Sequence, residues 1–523
     1  MLKFSLHPEP SQPSWRWFGG RWRAGSSWIE PFQHPVLETV AATDGTSSFI
    51  AVRERDGATV QPTSDLTTLS PDNYVDLRCR ILDEPTDHFL VERDELGEYH
   101  LFAGQWGNAP IYIAEGSEGL HGSWDFTDLR QHMGVDRLHE LTLTRILSGR
   151  IRHAAHTIFE PIKQITARMS VTYSGSEGIR MTYPEPAMRA HPRPVREGVD
   201  IVRVYEDELA RAVRLWDFDP ERTAVELSGG MDSANVAMTL AALHPNDIRS
   251  YALIYGEEIG AQQARRRQEM IDFAGFRDFS MPALDRPPLH SDGARVNGVP
   301  LNPVDEPYHE AVAAMLDMAA QQGVTTVFTG DGGDELVSLR GTEWEETGKV
   351  PGRFNPNRTP PNWLGPRAQE LLADIEVDLP PPGVINAATH IGFASRTPQF
   401  MRAGLWPLSP LCSPRLIRFA EQLPLEWRLS KRITRERLRR LGLSEDVQQP
   451  QLRENFTHVM ERGLAVYGVP LIDKYLNDSL LVESGYVDAD ALRRSRDATN
   501  SGMIDTQLFG FLRVELCLRG LLR

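Results

Sequence analysis

Thr223-Ala224-Val225-Glu226-Leu227-Ser228-Gly229-Gly230-Met231-Asp232-Ser233-Ala234-Asn235-Val236-Ala237-Met238-Thr239-Leu240-Ala241 decides how the fold is read. Thr223 to Leu227 carries β-branched and apolar residues and predicts a strand. Ala234 to Ala241 predicts a helix, with Asp232 and Ser233 in or beside its first turn. The turn between them is bare glycine and serine. Two glycines let backbone approach an anion closely, and serine hydroxyls and helix N–H groups donate to it. A carboxylate inside a phosphate cradle repels its ligand, so Asp232 fits only where a divalent cation bridges it to the phosphates. The chain has no G-x-x-x-x-G-K-[ST] loop and no G-x-G-x-x-G, which excludes a Walker site and a dinucleotide fingerprint.

The bulk properties set the class. A chain of 523 residues has room for two or more domains. Its 41% hydrophobic and 24% charged residues are ordinary for a soluble globular protein. A net charge of −16 argues against a broad nucleic-acid or anionic-membrane surface. Cys79, Cys412 and Cys517 are odd in number and scattered, so neither a disulfide framework nor a zinc site is expected. Reduced thiols fit a cytoplasmic location. Met1 to Pro8 lacks the apolar run of a signal peptide, and no stretch approaches the ~20 apolar residues of a membrane span.

Proline marks the division of the chain. Tyr183-Pro184-Glu185-Pro186 through His191-Pro192-Arg193-Pro194 can neither continue a helix nor donate to a sheet. We place a linker at 184–197 between units at 1–183 and 198–523. The first unit is β-rich, with short strands at Ser48–Val52, His88–Val91 and Ile111–Ala114. In the second, strands alternate with helices: a strand at Ser250–Tyr255, a helix at Ala261–Phe273, a helix at about Pro307–Gln322, and a strand at Val324–Phe328. That rhythm predicts an α/β fold with a doubly wound parallel sheet and ligands at the carboxyl ends of its strands. Beyond Leu336 helices dominate and no strand is expected, and Gly341–Arg367 reads as a mobile loop or lid.

A second strand end carries Thr329-Gly330-Asp331-Gly332-Gly333-Asp334-Glu335-Leu336. Alone this is a solvated acidic turn. At the ligand-binding end of the same sheet, Asp232 and Asp334 can share a magnesium ion. The serine–glycine loop resembles the pyrophosphate loop of the ATP pyrophosphatase group (adenine nucleotide α-hydrolase-like). Together the two motifs resemble the synthetase domain of the asparagine synthetase superfamily, where a G-[DE]-G-x-D-E segment follows at about this interval. The resemblance continues through Trp406-Pro407-Leu408-Ser409-Pro410-Leu411 and Leu423-Pro424-Leu425-Glu426-Trp427-Arg428. Lys431-Arg432-Ile433-Thr434-Arg435 is similar to the family's lysine-bearing K-x-x-L-R segment. The arginines after it, Arg435, Arg437, Arg439 and Arg440, read as a solvated or partner-binding face.

The resemblance implies a site. Leu227, Ser228, Gly229, Gly230, Asp232, Ser233, Leu253 and Gly330 would hold ATP, with Leu227 and Leu253 flanking adenine. Asp232 and Asp334 would bind Mg2+. Lys431, Asp331 and Glu335 are the candidate catalytic residues: Lys431 offsets developing negative charge, and Asp331 positions the amine or accepts its proton. Asp331 itself departs from the family, which has Glu there in asparagine synthetases and Tyr in β-lactam synthetases.

The N-terminal unit selects the branch. Gly104-Gln105-Trp106-Gly107-Asn108-Ala109-Pro110-Ile111-Tyr112 and Ser123-Trp124-Asp125-Phe126-Thr127-Asp128-Leu129 resemble strands of glutamine-hydrolysing (Ntn-type) domains. Those domains need a cysteine after the initiator methionine; Leu2 stands there, so this unit reads as a degenerate glutamine amidotransferase. Enzymes whose substrate brings its own amine dispense with glutaminase. The Gly-Asp-Gly-Gly-Asp-Glu-Leu motif, and Glu515-Leu516-Cys517-Leu518-Arg519, look most like lasso peptide macrolactam synthetases. The expected reaction is adenylation of an Asp or Glu side chain of a precursor peptide, then attack by that peptide's own amine. A leader-binding protein and a leader peptidase are the implied partners. Three alternatives remain: small-molecule ring closure of the β-lactam synthetase type, ammonia-dependent asparagine synthesis, and a catalytically dead peptide-binding scaffold.

Overall fold

The computed structural model describes residues 1–9, 13–56, 65–339, 343–348, 359–452 and 455–522. Its first part contains two seven-stranded sheets, antiparallel except where Thr67–Thr68 pairs in parallel with Leu37–Thr43 at one edge. The Leu2–Leu6 strand lies inside one of them, between Leu120–Ser123 and Ser27–Pro31. Leu2, Phe4 and Leu6 are buried in the core shared with the other sheet, where Phe4 stacks on Phe89 at 6.5 Å. Period-two alternation turns these residues to one face. The other sheet packs its outer face on the Pro71–Leu82 helix through Tyr74 and Ile81. The outer face of the first packs Tyr112 and Ala114 against the Glu140–Leu147 helix and the carboxyl-terminal Leu508–Leu521 helix.

The proline-rich segment after residue 183 is irregular, as expected, but it is a fastened strap. Ala187 donates to the Pro382 carbonyl at 2.8 Å, Arg193 N–H to that of Gln422 at 3.0 Å, and Arg189 pairs with Glu421 at 2.8 Å. Asp200 then caps the Ile201–Val213 helix.

A five-stranded parallel sheet follows, in the order Arg277–Pro282, Arg249–Ile254, Thr223–Glu226, Thr326–Phe328, Trp406–Leu408. Two corrections apply to the sequence reading. A strand does return beyond Leu336: Trp406–Leu408 pairs Pro407 with Val327 at one edge. Proline is tolerated there because an edge strand leaves one side unpaired, and Asn108 takes the outward Pro407 carbonyl at 2.8 Å. Nor is Gly341–Arg367 a loop throughout. Glu343–Thr347 is a short helix, and Trp363 and Leu364 are buried with Phe511; residues 340–342 and 349–358 lie outside the described residues.

The chain starts this sheet in its middle, moves one way for two strands, and returns to the other side at Thr326–Phe328. The crevice at that reversal, between Thr223–Glu226 and Thr326–Phe328, is where open α/β sheets bind ligands. Both glycine-rich motifs emerge there. The sheet is docked on the first part through buried polar contacts. Glu54 accepts from Trp216 Nε1 at 2.6 Å and Trp406 Nε1 at 2.9 Å, and Arg402 forks onto Asp125 at 2.8 and 2.9 Å. Among the described residues no helix is long and apolar enough to cross a membrane. All three cysteines are free thiols.

Candidate functional site

The serine–glycine loop is held from behind. Three side chains of the Glu257–Ala274 helix take three successive loop carbonyls. Arg267 Nε donates to Leu227 O at 2.6 Å, Gln263 Nε2 to Ser228 O at 2.8 Å, and Arg266 Nε to Gly229 O at 3.1 Å. With those carbonyls engaged, the loop can offer N–H groups to an anion without opposing dipoles. Gly229 has φ +91°, a conformation natural to glycine. Ser233 Oγ accepts from Ser228 N at 3.2 Å and donates to Gly230 O at 3.1 Å, closing the turn on itself. Sequence reading missed the three supporting residues. The available signal was the i, i+3, i+4 spacing of Gln263, Arg266 and Arg267 on one buried face.

The second motif interlocks with the first through its glycines. A Cβ on Gly330 would stand 2.8 Å from Ser233 N, and one on Gly333 would stand 2.6 Å from Asp232 Cβ. Asp232 and Asp334 are both engaged by Lys431: its ammonium donates to Asp232 Oδ2 and lies 2.7 Å from Asp334 Oδ1. Burial pulls the Lys431 pKa down, but the two carboxylates outweigh it and hold it above the ordinary value. Ser430 (φ +54°) and Lys431 (φ +57°) are consecutive left-handed residues, and neither is glycine. Such conformations cost of order 1 kcal/mol each and gather where a side chain must be aimed. The arginine face expected after Lys431 needs correction at one position. Arg437 is buried and donates to Asn235 O and Thr239 Oγ1, both at 2.8 Å, pinning the Arg432–Arg440 helix to the Met231–Leu243 helix.

A second cation centre was not foreseen. Arg396, from the Ala387–Arg402 helix, donates to Glu226 at 2.8 and 2.9 Å and to Asp331 at 3.1 and 3.2 Å, with Glu306 at 3.8 Å. Burial opposes its charge, yet Glu226, Asp331 and Glu306 together raise its pKa. Asp331 also accepts from Thr329 Oγ1 at 2.9 Å. Glu335 differs: its carboxylate bonds to no other side chain among the described residues. Burial, then Asp334, Asp331 and Asp232, push it above the usual carboxylate range.

These groups border a cavity of about 720 Å³ whose wall includes Ser228, Asp232, Leu253, Gly330, Asp334 and Glu335. Leu227 and Ser233 are buried behind it. Tyr308 and Phe456 stack at 4.4 Å, with Tyr255 edge-on to Phe456 at 4.6 Å, adding an aromatic wall near Leu253. The donor set fits a nucleotide with a hard divalent cation. Loop carbonyls are tied back, and an ammonium already lies between two carboxylates of the kind that bind magnesium. Glu515 has a different place: on the buried face of the carboxyl-terminal helix, it accepts from Ser479 Oγ at 2.9 Å and Leu480 N at 3.1 Å.

Residues 205–372 match the family model described as asparagine synthase. The match supports the asparagine synthetase superfamily, a family of ATP-using ligases, and hence an enzyme. It spans both glycine-rich motifs and ends before Arg396 and Lys431. No curated protein matches the chain.

Proposed function

We propose that this protein is an ATP-dependent amide ligase that adenylates a side-chain carboxylate of a peptide and closes a macrolactam with the peptide's own amine. This is the chemistry of lasso peptide macrolactam synthetases. The observation that carries the reading is the convergence of Asp232, Asp334 and Lys431 at the carboxyl ends of adjacent parallel strands. Ser228, Gly229 and Gly230 would take the pyrophosphate part of ATP, while Ser233, buried behind them, holds the turn closed. Asp232 and Asp334 would hold magnesium, which would neutralise phosphate charge. Lys431 places a fixed positive charge where negative charge grows as the adenylate forms and is attacked. A free carboxylate is a poor electrophile, and the adenylate supplies its leaving group. Holding amine and acyl carbon together replaces several kcal/mol of bimolecular entropy cost. Glu335 accepts the proton of the attacking amine, while Arg396 fixes Asp331 beside it. A precursor peptide, a leader-binding protein and a leader peptidase are the partners this reading requires.

A second reading, ammonia-dependent asparagine synthesis, is favoured by the asparagine synthase match itself. One experiment separates them. AMP release is measured with linear peptides carrying a free N-terminal amine and an internal Asp or Glu, with their N-acetylated forms, and with aspartate plus ammonium. The proposal expects AMP and a product lighter by one water from the free-amine peptides alone. AMP from aspartate and ammonium, with none from any peptide, refutes it.

A further inference from the structure

A second cavity, of about 650 Å³, lies where the two-sheet part, the proline strap and the Ala387–Arg402 helix meet. Pro380-Pro381-Pro382, Val384 and Ile385 give it apolar walls. It shares Ala388 and Ile391 with the reaction cavity, so one turn of that helix borders both.

Two polar features face this apolar space. His390 is 5% exposed, its Nδ1 has no partner among the described residues, and its ring stacks on His153 at 4.8 Å. Burial holds both imidazoles below the usual histidine range, so at neutral pH they are uncharged. Arg168 stands at the rim. The other two arginines there are neutralised, Arg152 by Glu376 and Arg189 by Glu421. Arg168 has no carboxylate partner among the described residues, where its guanidinium donates only to the Glu185 carbonyl, at 3.1 Å. It is the third residue of a turn closed by Met169 N to Thr166 O at 3.1 Å, with φ +62°. That turn position favours glycine, so the backbone carries strain to keep an arginine there. In a chain of net charge −16, an unneutralised guanidinium beside an apolar hollow complements a carboxylate on an apolar ligand.

We propose that this cavity is a second substrate subsite, seating an apolar residue of an extended peptide whose neighbouring carboxylate is bound by Arg168. The inference rests on the peptide-ligase reading and extends it: the reacting end occupies the first cavity while a distant stretch anchors in the second. The proline-lined wall suits an apolar side chain, and the neutral, stacked His153–His390 pair adds no charge that would compete with Arg168. Anchoring both ends lowers the entropy of the chain that must close on itself.

Calorimetric titrations of the full chain test this with three probes: N-acetyl-Pro-Phe with a free carboxylate, its C-terminal amide, and N-acetyl-Pro-Phe-Asp amide. The free carboxylate should bind about tenfold tighter than the amide, the scale of one charge-assisted hydrogen bond. The Asp probe tells whether a side-chain carboxylate serves equally well. Arg168→Gly should erase the preference while the melting temperature holds or rises, because glycine adopts this φ without strain. Ala167→Trp, which fills the cavity, should lose all three probes and still bind magnesium–ATP as the parent does. Equal binding of acid and amide, a preference surviving Arg168→Gly, undiminished binding by Ala167→Trp, or no binding by the parent would each overturn the proposal. Probe binding as expected, without AMP from any peptide, would retain the subsite and refute the ligase reading. Peptide-dependent AMP release unchanged in both variants would do the reverse.

Discussion

Gly333→Ala isolates the contact between the two motifs. A Cβ at Gly333 would stand 2.6 Å from Asp232 Cβ and 2.7 Å from its Oδ1. Ordinary van der Waals separation begins near 3.4 Å, so the carboxylate must retreat by roughly 1 Å. Sites of this kind tolerate about 0.5 Å of error, and a displacement of about 1 Å costs on the order of 10² in rate. Overpacking costs about 1–3 kcal/mol of stability. The low end applies, because the Asp232 side chain is 20% exposed and has somewhere to go. Gly323→Ala is the matching control: its φ is +79° with nothing within 4 Å of the added methyl, so it carries backbone strain of about 1 kcal/mol without a clash. AMP release and thermal melting are measured on both. The expected result is comparable melting loss, with turnover falling about a hundredfold in Gly333→Ala alone. Wild-type turnover in Gly333→Ala, or equal loss in both, would refute the steric argument.

Lys431→Ala should lower ring closure by roughly 10²–10³ with little loss of nucleotide affinity, read by mass spectrometry of product beside calorimetry. Lys431→Arg should restore only part, since a planar guanidinium cannot replace a compact ammonium between Asp232 and Asp334. Glu335→Gln should still consume ATP on the first turnover but stall before amide formation, and added hydroxylamine, nucleophilic without a base, should trap the adenylate as a hydroxamate. Absence of hydroxamate would remove Glu335 from the proton step. His153 is held down to about 4 by burial, so the folded state resists its protonation. Its stabilising effect is complete above the ordinary value of 6.5 and is lost as pH falls toward 4. His153→Phe keeps the stacking and removes the titration. Between pH 7.5 and 5.5 the parent should lose about 1 kcal/mol relative to it in urea unfolding.

How much of this was legible in sequence follows from the range of each interaction. Thr223–Leu227 and Val324–Phe328 were visible because β-branched runs ending in glycine turns are local signals. Trp406–Leu408 was not, since three residues containing a proline form a strand only when an existing sheet edge and Asn108 hold them. The glycine motifs read as an anion site from local sequence alone, but that Gly330 and Gly333 pack on Ser233 and Asp232 depends on two strands lying side by side. Arg437 was misread as a surface charge because its neighbours Arg439 and Arg440 are indeed exposed. Only packing against Asn235 and Thr239 sets it apart. Arg396 lies 65 residues from Asp331 and 170 from Glu226, and no pattern in its own helix marks it.

The charges of the site divide into two groups, and the division bears on how the proton leaves the amine. Asp232 and Asp334 face Lys431, and Glu226, Asp331 and Glu306 face Arg396. A carboxylate forked by arginine and bonded by a threonine hydroxyl has its lone pairs engaged. Asp331 is held in place in this way, by Arg396 and by Thr329 Oγ1. Glu335 has no side-chain partner among the described residues, and burial beside three other carboxylates raises its proton affinity. A general base works best when its pKa approaches the working pH, and burial among neighbouring carboxylates moves Glu335 in that direction. On the proposed reading the labour divides accordingly: Lys431 and the loop would manage the phosphates, Arg396 and Asp331 would keep the strand ends rigid, and Glu335 would take the proton.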